Sequence, residues 1–434
     1  MRRILEKAAV SRGTDLEAWE TAIRTAVLAA GAKALGELLQ GIGSGKEPDA
    51  IICTRCDARM ESQGLKRKEL LTILGQVPFE RSMFQCPACQ ATRYPGDEAL
   101  DIVGTTRSPG LRRMMARAGS QTTFKDGRDD LKVYAGLDVS AKDVERVAEG
   151  IGQQIESWLS QERTMLLIQA ESLRTDQTIP VLYISYDGTG VPMTPEELQG
   201  RKGKQMDGSA RTREAKLGCV FTQTITDEKG FPVRDPDSTS FVGAIESAEE
   251  FGWRICAEAV RRGLCQAQRV VVLADSAEWI KNLWQMHFPM AMFIIDLYHA
   301  REHVSHLSKM LFSGDNKRAE QQRIRWWTDL DAGNVDKIIR QARQRLCDQE
   351  SREKIETEIH YFEKNKAYMR YAEFRTQGLF VGSGVVEAGC KTVIGQRLKQ
   401  SGMEWSIRGA NAIISLRCAI KSNRFEDYWE SRVS

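Results

Sequence analysis

The feature that most constrains this chain is a set of three apolar runs, each closing on an aspartate. Residues 181–186 read Val-Leu-Tyr-Ile-Ser-Tyr into Asp187, residues 270–274 read Val-Val-Val-Leu-Ala into Asp275, and residues 291–295 read Ala-Met-Phe-Ile-Ile into Asp296. Short apolar runs rich in β-branched residues predict interior strands of a covered sheet. A carboxylate closing such a strand falls at the C-terminal edge of the sheet, where open α/β sheets bind ligands. A single aspartate there need only open the next loop. Several gathered carboxylates, however, repel one another unless a cation holds them. Hard oxygen ligands suit Mg²⁺ or Mn²⁺. The expectation is a metal-dependent α/β core of the nuclease kind.

The order of elements sharpens this. Strand 181–187 is followed by a strand over 215–225, a turn at 227–230 and a returning strand over 232–240. Helices near 244–263 and 278–286 then cross to strands 270–275 and 291–296. Antiparallel strands followed by βαβ units, with aspartates on the first and fourth strands, is the ribonuclease H-like order. A helix after Asp296 carries His299, Glu302, His303 and His306. Residues 304–375 are helical in pattern, charged and without strand signal, and include Trp326 and Trp327, whose expected role is core packing or stacking on an unpaired base. A glycine-rich lead-in at 382–386 opens a helix with Glu387 in its first turn. Lys391, Ile394 and Arg397/Leu398 follow at spacings that predict one shared side.

Upstream, residues 1–48 read as helical, with Leu16, Trp19, Ile23, Val27 and Leu28 at helical spacing, and Gly41, Gly43, Gly45 and Pro48 supply a linker. Two Cys-x-x-Cys pairs follow, Cys53/Cys56 and Cys86/Cys89. Each places two thiolates on a tight turn, and two such turns complete a tetrahedral Zn²⁺ site. The apolar stretches 70–74 and 77–79 between them can form a hairpin stem, which predicts a zinc ribbon. The remaining cysteines (Cys219, Cys256, Cys265, Cys347, Cys390 and Cys418) are scattered and read as reduced thiols. Over 129–151 an apolar helix ends at Gly136, and Ser140 with Asp143 makes a capping box for the next. That is the layout of a helix-turn-helix, or of an ordinary α-hairpin. A DNA contact is expected at position 144 of the second helix.

A net charge of +3 does not by itself argue for nucleic acid. Residues 201–216, however, hold Arg201, Lys202, Lys204, Arg211, Arg213 and Lys216 against Asp207 and Glu214, which predicts a mobile basic loop beside Asp187. Lys202, Lys204 and Arg211 are the expected DNA contacts. No apolar run approaches the roughly 18 residues that span a bilayer, and the opening residues do not read as a signal peptide. A cytoplasmic protein without membrane contact is expected.

Taken together, Asp187, Asp275, the stretch from Asp296 to His299 and Glu387 resemble the DDE transposases of bacterial insertion sequences, related to the Mutator-like superfamily and most like the Kra-type insertion-sequence group. The stretches that carry the resemblance are 186–193, 273–280, 288–291, 296–303, 382–387 and 397–405. The resemblance spans roughly residues 50 to 425. It implies a catalytic triad of Asp187, Asp275 and Glu387 holding two divalent ions, Mg²⁺ or Mn²⁺, an accessory Asp296/His299 signature, an all-helical insertion before the glutamate, and action on double-stranded DNA by a homo-oligomer. Ser276 departs from the glycine usual after the second aspartate, and serine is small enough to fit. The expected partition is 1–48 helical, 49–100 zinc ribbon, 101–176 helix-turn-helix-like, 177–303 first part of the core, 304–375 insertion and 376–434 second part of the core. Two rivals stand beside this reading. His299-Ala-Arg-Glu-His303 matches the HxxEH motif of zinc proteases, and a catalytically silent core would leave a zinc-ribbon and helix-turn-helix DNA-binding protein.

Overall fold

The computed structural model describes residues 15–40, 51–169, 178–203, 208–346 and 352–432. The chain divides into two compact units, Met1–Ala148 and Glu149–Ser434. The fold is mixed α/β.

In the first unit, helix α1 (Leu16–Leu39) is capped by Asp15, whose carboxylate accepts from Ala18 N at 3.1 Å. Its C-terminal end supplies Leu39 to a small core with Leu70, Val77, Phe79 and Ile102. The apolar stripe read from the sequence is not core: Trp19, Ile23 and Val27 stand 37%, 47% and 53% exposed. Strands β1 (Glu61–Thr72) and β2 (Gly75–Gln85) form the expected hairpin, closed between Thr72 and Gly75, with β3 (Thr92–Arg93) added against β2. Gly75 takes a φ of +117°, open to glycine and strained for other residues.

Helices α2 (Pro109–Gln121), α3 (Phe124–Ala135) and α4 (Ala141–Ile168) follow. Gly136 ends α3 in the left-handed region at φ +70°, as its position predicts. Ser140 Oγ accepts from Asp143 N at 3.0 Å, whereas the Asp143 carboxylate is taken by Arg107 at 2.8 Å. The contact expected at position 144 falls away. That residue is Val144, fully buried with Leu111, Met115, Leu131, Leu137 and Val139, and the lysine of this turn is the exposed Lys142.

The second unit is built on a five-stranded mixed sheet of β4 (Ile179–Pro192), β5 (Thr212–Gln223), β6 (Ser240–Ala244), β7 (Ala267–Ala274) and β8 (Met292–Ile295), in spatial order β8-β7-β4-β5-β6. Numbered along the chain and read from the β6 edge, that order is 3-2-1-4-5. The β4–β5 and β5–β6 pairs are antiparallel, and β7 and β8 are parallel to β4. Val181–Tyr186 side of β4 is buried throughout, as its apolar run requires. Two readings are corrected. Residues 232–240 are not the returning strand: Pro232–Val233 pairs only with Ile225–Thr226 in a small ribbon, and the sheet strand is β6. Strand β4 also does not end at Asp187 but continues to Pro192 against Thr212.

Helices α5 (Ala248–Arg261) and α6 (Glu278–His287) form the crossovers. After β8 the chain is helical among the described residues: α7 (Leu297–Leu311), α8 (Asn316–Asp331), α9 (Val335–Gln344) and α10 (Arg352–Asn365). Trp326 is fully buried and donates Nε1–H to Gln341 at 2.7 Å, which makes it core. Trp327 donates to the Arg301 carbonyl at 3.1 Å and lies under the Arg323 guanidinium. The chain returns to the sheet through α11 (Gly384–Gly389), a π turn at Cys390–Gly395, and α12 (Ile407–Lys421). No helix of the described residues is long and apolar enough to cross a membrane.

Candidate functional site

Carboxylates converge at one edge of the five-stranded sheet. Asp187 lies in central strand β4, three residues beyond the last β4–β7 pair, Ile184 with Val272. Asp275 directly follows β7 and Asp296 directly follows β8. Neighbouring side chains fasten β4 at this edge. Ser185 Oγ donates to the Leu273 carbonyl at 2.5 Å, and Tyr186 Oη donates to the Ile280 carbonyl at 3.0 Å.

Asp296 has another task. It is fully buried; Oδ1 accepts from His299 N at 2.7 Å, capping α7, and Oδ2 accepts from Ser383 N. Leu297 N also donates to the Val381 carbonyl at 2.9 Å. Asp296 therefore clamps the returning chain to the end of β8, four residues before Glu387. Both of its oxygens accept from backbone N–H groups, so it is a cap and not an open ligand, unlike its counterparts Asp187 and Asp275.

Glu387 sits in α11, and the Ser383 carbonyl accepts from its backbone N–H at 3.2 Å. The shared side predicted for Glu387, Lys391, Ile394 and Arg397 is not formed. The π turn widens the helix after Cys390, leaving Lys391 exposed while Ile394 and Arg397 are fully buried. Such single-turn π segments recur beside functional sites.

The electrostatics follow from this gathering. Burial, then the charges of Asp187, Asp296 and Glu387, push the Asp275 carboxyl up to about 7. Burial also raises Asp187, opposed by the Gly188 N–H and the Cys390 thiol, which lies 3.6 Å from Oδ2. Burial and the Asp296 charge raise Glu387. These groups hold negative charge reluctantly, which suits a site that takes a cation. Carboxylate oxygens are the donor set Mg²⁺ and Mn²⁺ prefer. Asp187, Asp275 and Glu387 have oxygens not committed to capping, but among the described residues only the cysteines draw three or more ligand atoms within 4.8 Å of one another, so these carboxylates share a sheet edge without closing into a cation cage. His299 borders them, with Nδ1 3.7 Å from Asp275 Oδ2. Burial lowers its proton affinity.

The basic stretch 201–216 is less free than its composition suggests. Arg213 and Lys216 belong to β5. Lys216 is buried, with Nζ donating to the Glu246 carbonyl at 2.9 Å and paired with Glu214 at 3.2 Å. The hairpin tip is tied down by Thr194 N donating to the Trp405 carbonyl at 3.0 Å. Lys202 and Arg211 are exposed, and Lys204 lies outside the described residues.

The four cysteines of the first unit form a separate centre. Their sulfurs all lie within 4.8 Å of one another, with Cys53 to Cys89 and Cys56 to Cys86 both at 3.5 Å. The two knuckles repeat one geometry. Cys53 N donates to Ala58 O (2.9 Å) and Asp57 N to Cys53 O (3.0 Å); Cys86 N donates to Ala91 O (2.8 Å) and Gln90 N to Cys86 O (2.9 Å). Asp57 and Gln90 both take left-handed φ, at +57° and +59°. The Arg55 backbone N–H brings the Cys53 thiol down to about 6, toward the thiolate that metals bind. This cluster can hold a metal such as zinc. The HxxEH reading finds no comparable centre: among the described residues, the cysteines are the group of three or more ligands drawn together.

Sequence reasoning missed Glu358 and Tyr361 on α10, which grip His303, and Cys390 beside Asp187. For the α10 pair the only sequence signal is spacing three residues apart on a helix, which is too common to single them out.

This architecture defines a mixed α/β protein with carboxylates at one sheet edge and a cysteine cluster that can hold a metal. Comparison with known proteins adds the following. Residues 243–429 match the uncharacterised protein family UPF0236. A Streptococcus gallolyticus protein described as "UPF0236 protein in vanSb 3'region" is 21% identical over 384 residues, covering 86% of this chain and 76% of that protein. Among solved structures, the Drosophila P element transposase strand transfer complex aligns over 74% of this chain and 80% of that one, at 10% identity and a TM-score of 0.24. That score lies below the level at which two chains share a fold.

Proposed function

We propose that this protein is a DDE-type DNA transposase of the Kra-type insertion-sequence group, with a ribonuclease H-like core. It binds the ends of its element, hydrolyses phosphodiester bonds and joins the freed 3′-hydroxyl ends to target DNA. The observation that carries the reading is the convergence of Asp187, Asp275 and Glu387, from widely separated stretches, at one edge of a sheet ordered 3-2-1-4-5. Asp187, Asp275 and Glu387 would hold Mg²⁺ or Mn²⁺, which when bound activates water and stabilises the leaving oxygen. Asp296 keeps Glu387 in place through Ser383, and His299 lines the rim. Lys202, Lys204 and Arg211 contact phosphates, which position DNA without reading its sequence.

Cys53, Cys56, Cys86 and Cys89 hold a structural Zn²⁺ in residues 49–100, and the helices of 101–176 bind duplex DNA. The core then runs over 177–303 and 376–434, interrupted by the helical insertion 304–375. Cleaving two ends calls for at least two copies on DNA. The test is a nicking assay on duplexes built from the genomic DNA flanking the gene. Wild-type protein should cut at a fixed boundary with Mg²⁺ and not with chelator. Glu387→Gln should bind the same duplex and cut it several orders of magnitude more slowly. Equal cutting by Glu387→Gln, or none by wild type on either flank, sinks the proposal.

A further inference from the structure

A chain of polar side chains leads away from the carboxylate site into the helical lobe. His299 Nδ1 lies 3.7 Å from Asp275 Oδ2, and its Nε2 lies 3.3 Å from Nε2 of His303, one turn further along α7. His303 Nδ1 lies 2.7 Å from Glu358 Oε2 on α10. Tyr361, on the same face of α10, stacks on the His303 ring with centroids 3.6 Å apart and planes 13° apart. One helix thus fixes His303 by a hydrogen bond at its edge and a ring against its face.

The proton inventory of this chain is restrictive. A carboxylate only accepts, so His303 Nδ1 must donate to Glu358. A neutral imidazole carries one N–H, so His303 Nε2 is then a bare acceptor. The 3.3 Å contact needs one proton, which His299 Nε2–H supplies. His299 Nδ1 is left with its lone pair toward Asp275. With both imidazoles neutral and Glu358 ionised, this is the one arrangement that gives each contact a proton.

We infer that Glu358 is a positioning residue: acting through His303, it fixes the tautomer of His299 so that an unprotonated Nδ1 faces the carboxylate site. On the transposase reading, on which this rests for its purpose, that nitrogen can accept a hydrogen bond from a water or 3′-hydroxyl at the site. A protonated Nδ1 would compete instead for the Asp275 lone pairs. The helical lobe then supplies a group that acts on the site without touching substrate, an effect of the kind known for residues behind metal ligands.

The test uses full-length protein labelled with ¹⁵N-histidine. The chain has five histidines, few enough to assign by substitution. Long-range ¹H–¹⁵N correlation should show His299 protonated at Nε2 and bare at Nδ1, and His303 the reverse. Glu358→Leu removes the acceptor, so His303 should shift its proton to Nε2 and drive that of His299 to Nδ1. Glu358→Gln keeps an acceptor oxygen and should retain the wild-type pattern. End cleavage should fall about 10–100-fold in Glu358→Leu, with end affinity unchanged, and recover in Glu358→Gln. A wild-type His299 protonated at Nδ1, or a pattern unmoved by Glu358→Leu, overturns the inference; if that variant does not fold, the wild-type spectrum decides. The spectra need no DNA, so a protein that never cuts DNA would sink the transposase reading while the tautomers are still read.

Discussion

Replacing Asp296 with asparagine separates capping from metal binding. Both Asp296 oxygens accept backbone N–H groups, from His299 and Ser383, at a fully buried position. Asparagine keeps one acceptor and turns an NH₂ toward the other N–H. One hydrogen bond to a charged acceptor is lost and a buried donor is left facing a donor, a cost of about 2–4 kcal/mol. Relief of the repulsion that Asp296 exerts on Asp275 and Glu387 offsets a part of this. A net loss of about 2–3 kcal/mol should lower Tm by about 3–5 °C for a domain of this size. Glu387→Gln should not lower Tm, because it removes a charge whose folded environment disfavours it. Thermal unfolding of the metal-free variants, followed by circular dichroism at pH 7, makes the comparison. An Asp296→Asn protein that melts with wild type would refute the capping argument.

Three further outcomes are expected. In metal-free protein, Asp275 rises from 3.8 unfolded to about 7 folded, so between those values the folded state binds the extra proton and stability falls as pH rises. Allowing for solvent screening of this partly exposed group, the loss across pH 4–8 is about 1–2 kcal/mol; Asp275→Asn should flatten the slope in pH-stepped denaturant titrations, and an unchanged slope would assign it elsewhere. Cys53→Ser should lose bound zinc by elemental analysis and weaken DNA binding in gel shifts while the five-stranded unit keeps its own unfolding transition; native protein that purifies without metal would contradict this. Trp326→Ala should cost about 3–5 kcal/mol as a core deletion and Trp327→Ala less, since only Trp326 is fully buried; chemical denaturation showing the reverse order would reassign the core.

Asp187 and Asp275 were legible because apolar runs of strand length end on them, and the cysteine quartet because its spacing permits little else. Asp296 could not be told from a ligand, since a cap and a ligand both place an aspartate just after a strand. Lys216 looked like part of a basic surface, but seven consecutive residues from Ala215 to Phe221 are buried in β5, so its charge is satisfied inside. Helical spacing after Glu387 assumed 3.6 residues per turn, and the π turn at Cys390–Gly395 breaks that count without a local sequence mark. Glu358 and Tyr361 were invisible because their meaning depends on His303, reached only through tertiary folding.

The bond between Leu297 N and the Val381 carbonyl means that the chain leaves and rejoins the sheet at a single point. Everything between is a closed excursion whose ends the core already holds together. Lengthening such an excursion costs little, since loop-closure entropy grows only with the logarithm of length. The spot is therefore a natural graft point, where a descendant could acquire, enlarge or exchange a whole lobe with its strands undisturbed. A lobe acquired this way arrives within reach of the chemistry, so a few of its side chains can be recruited to it afterwards.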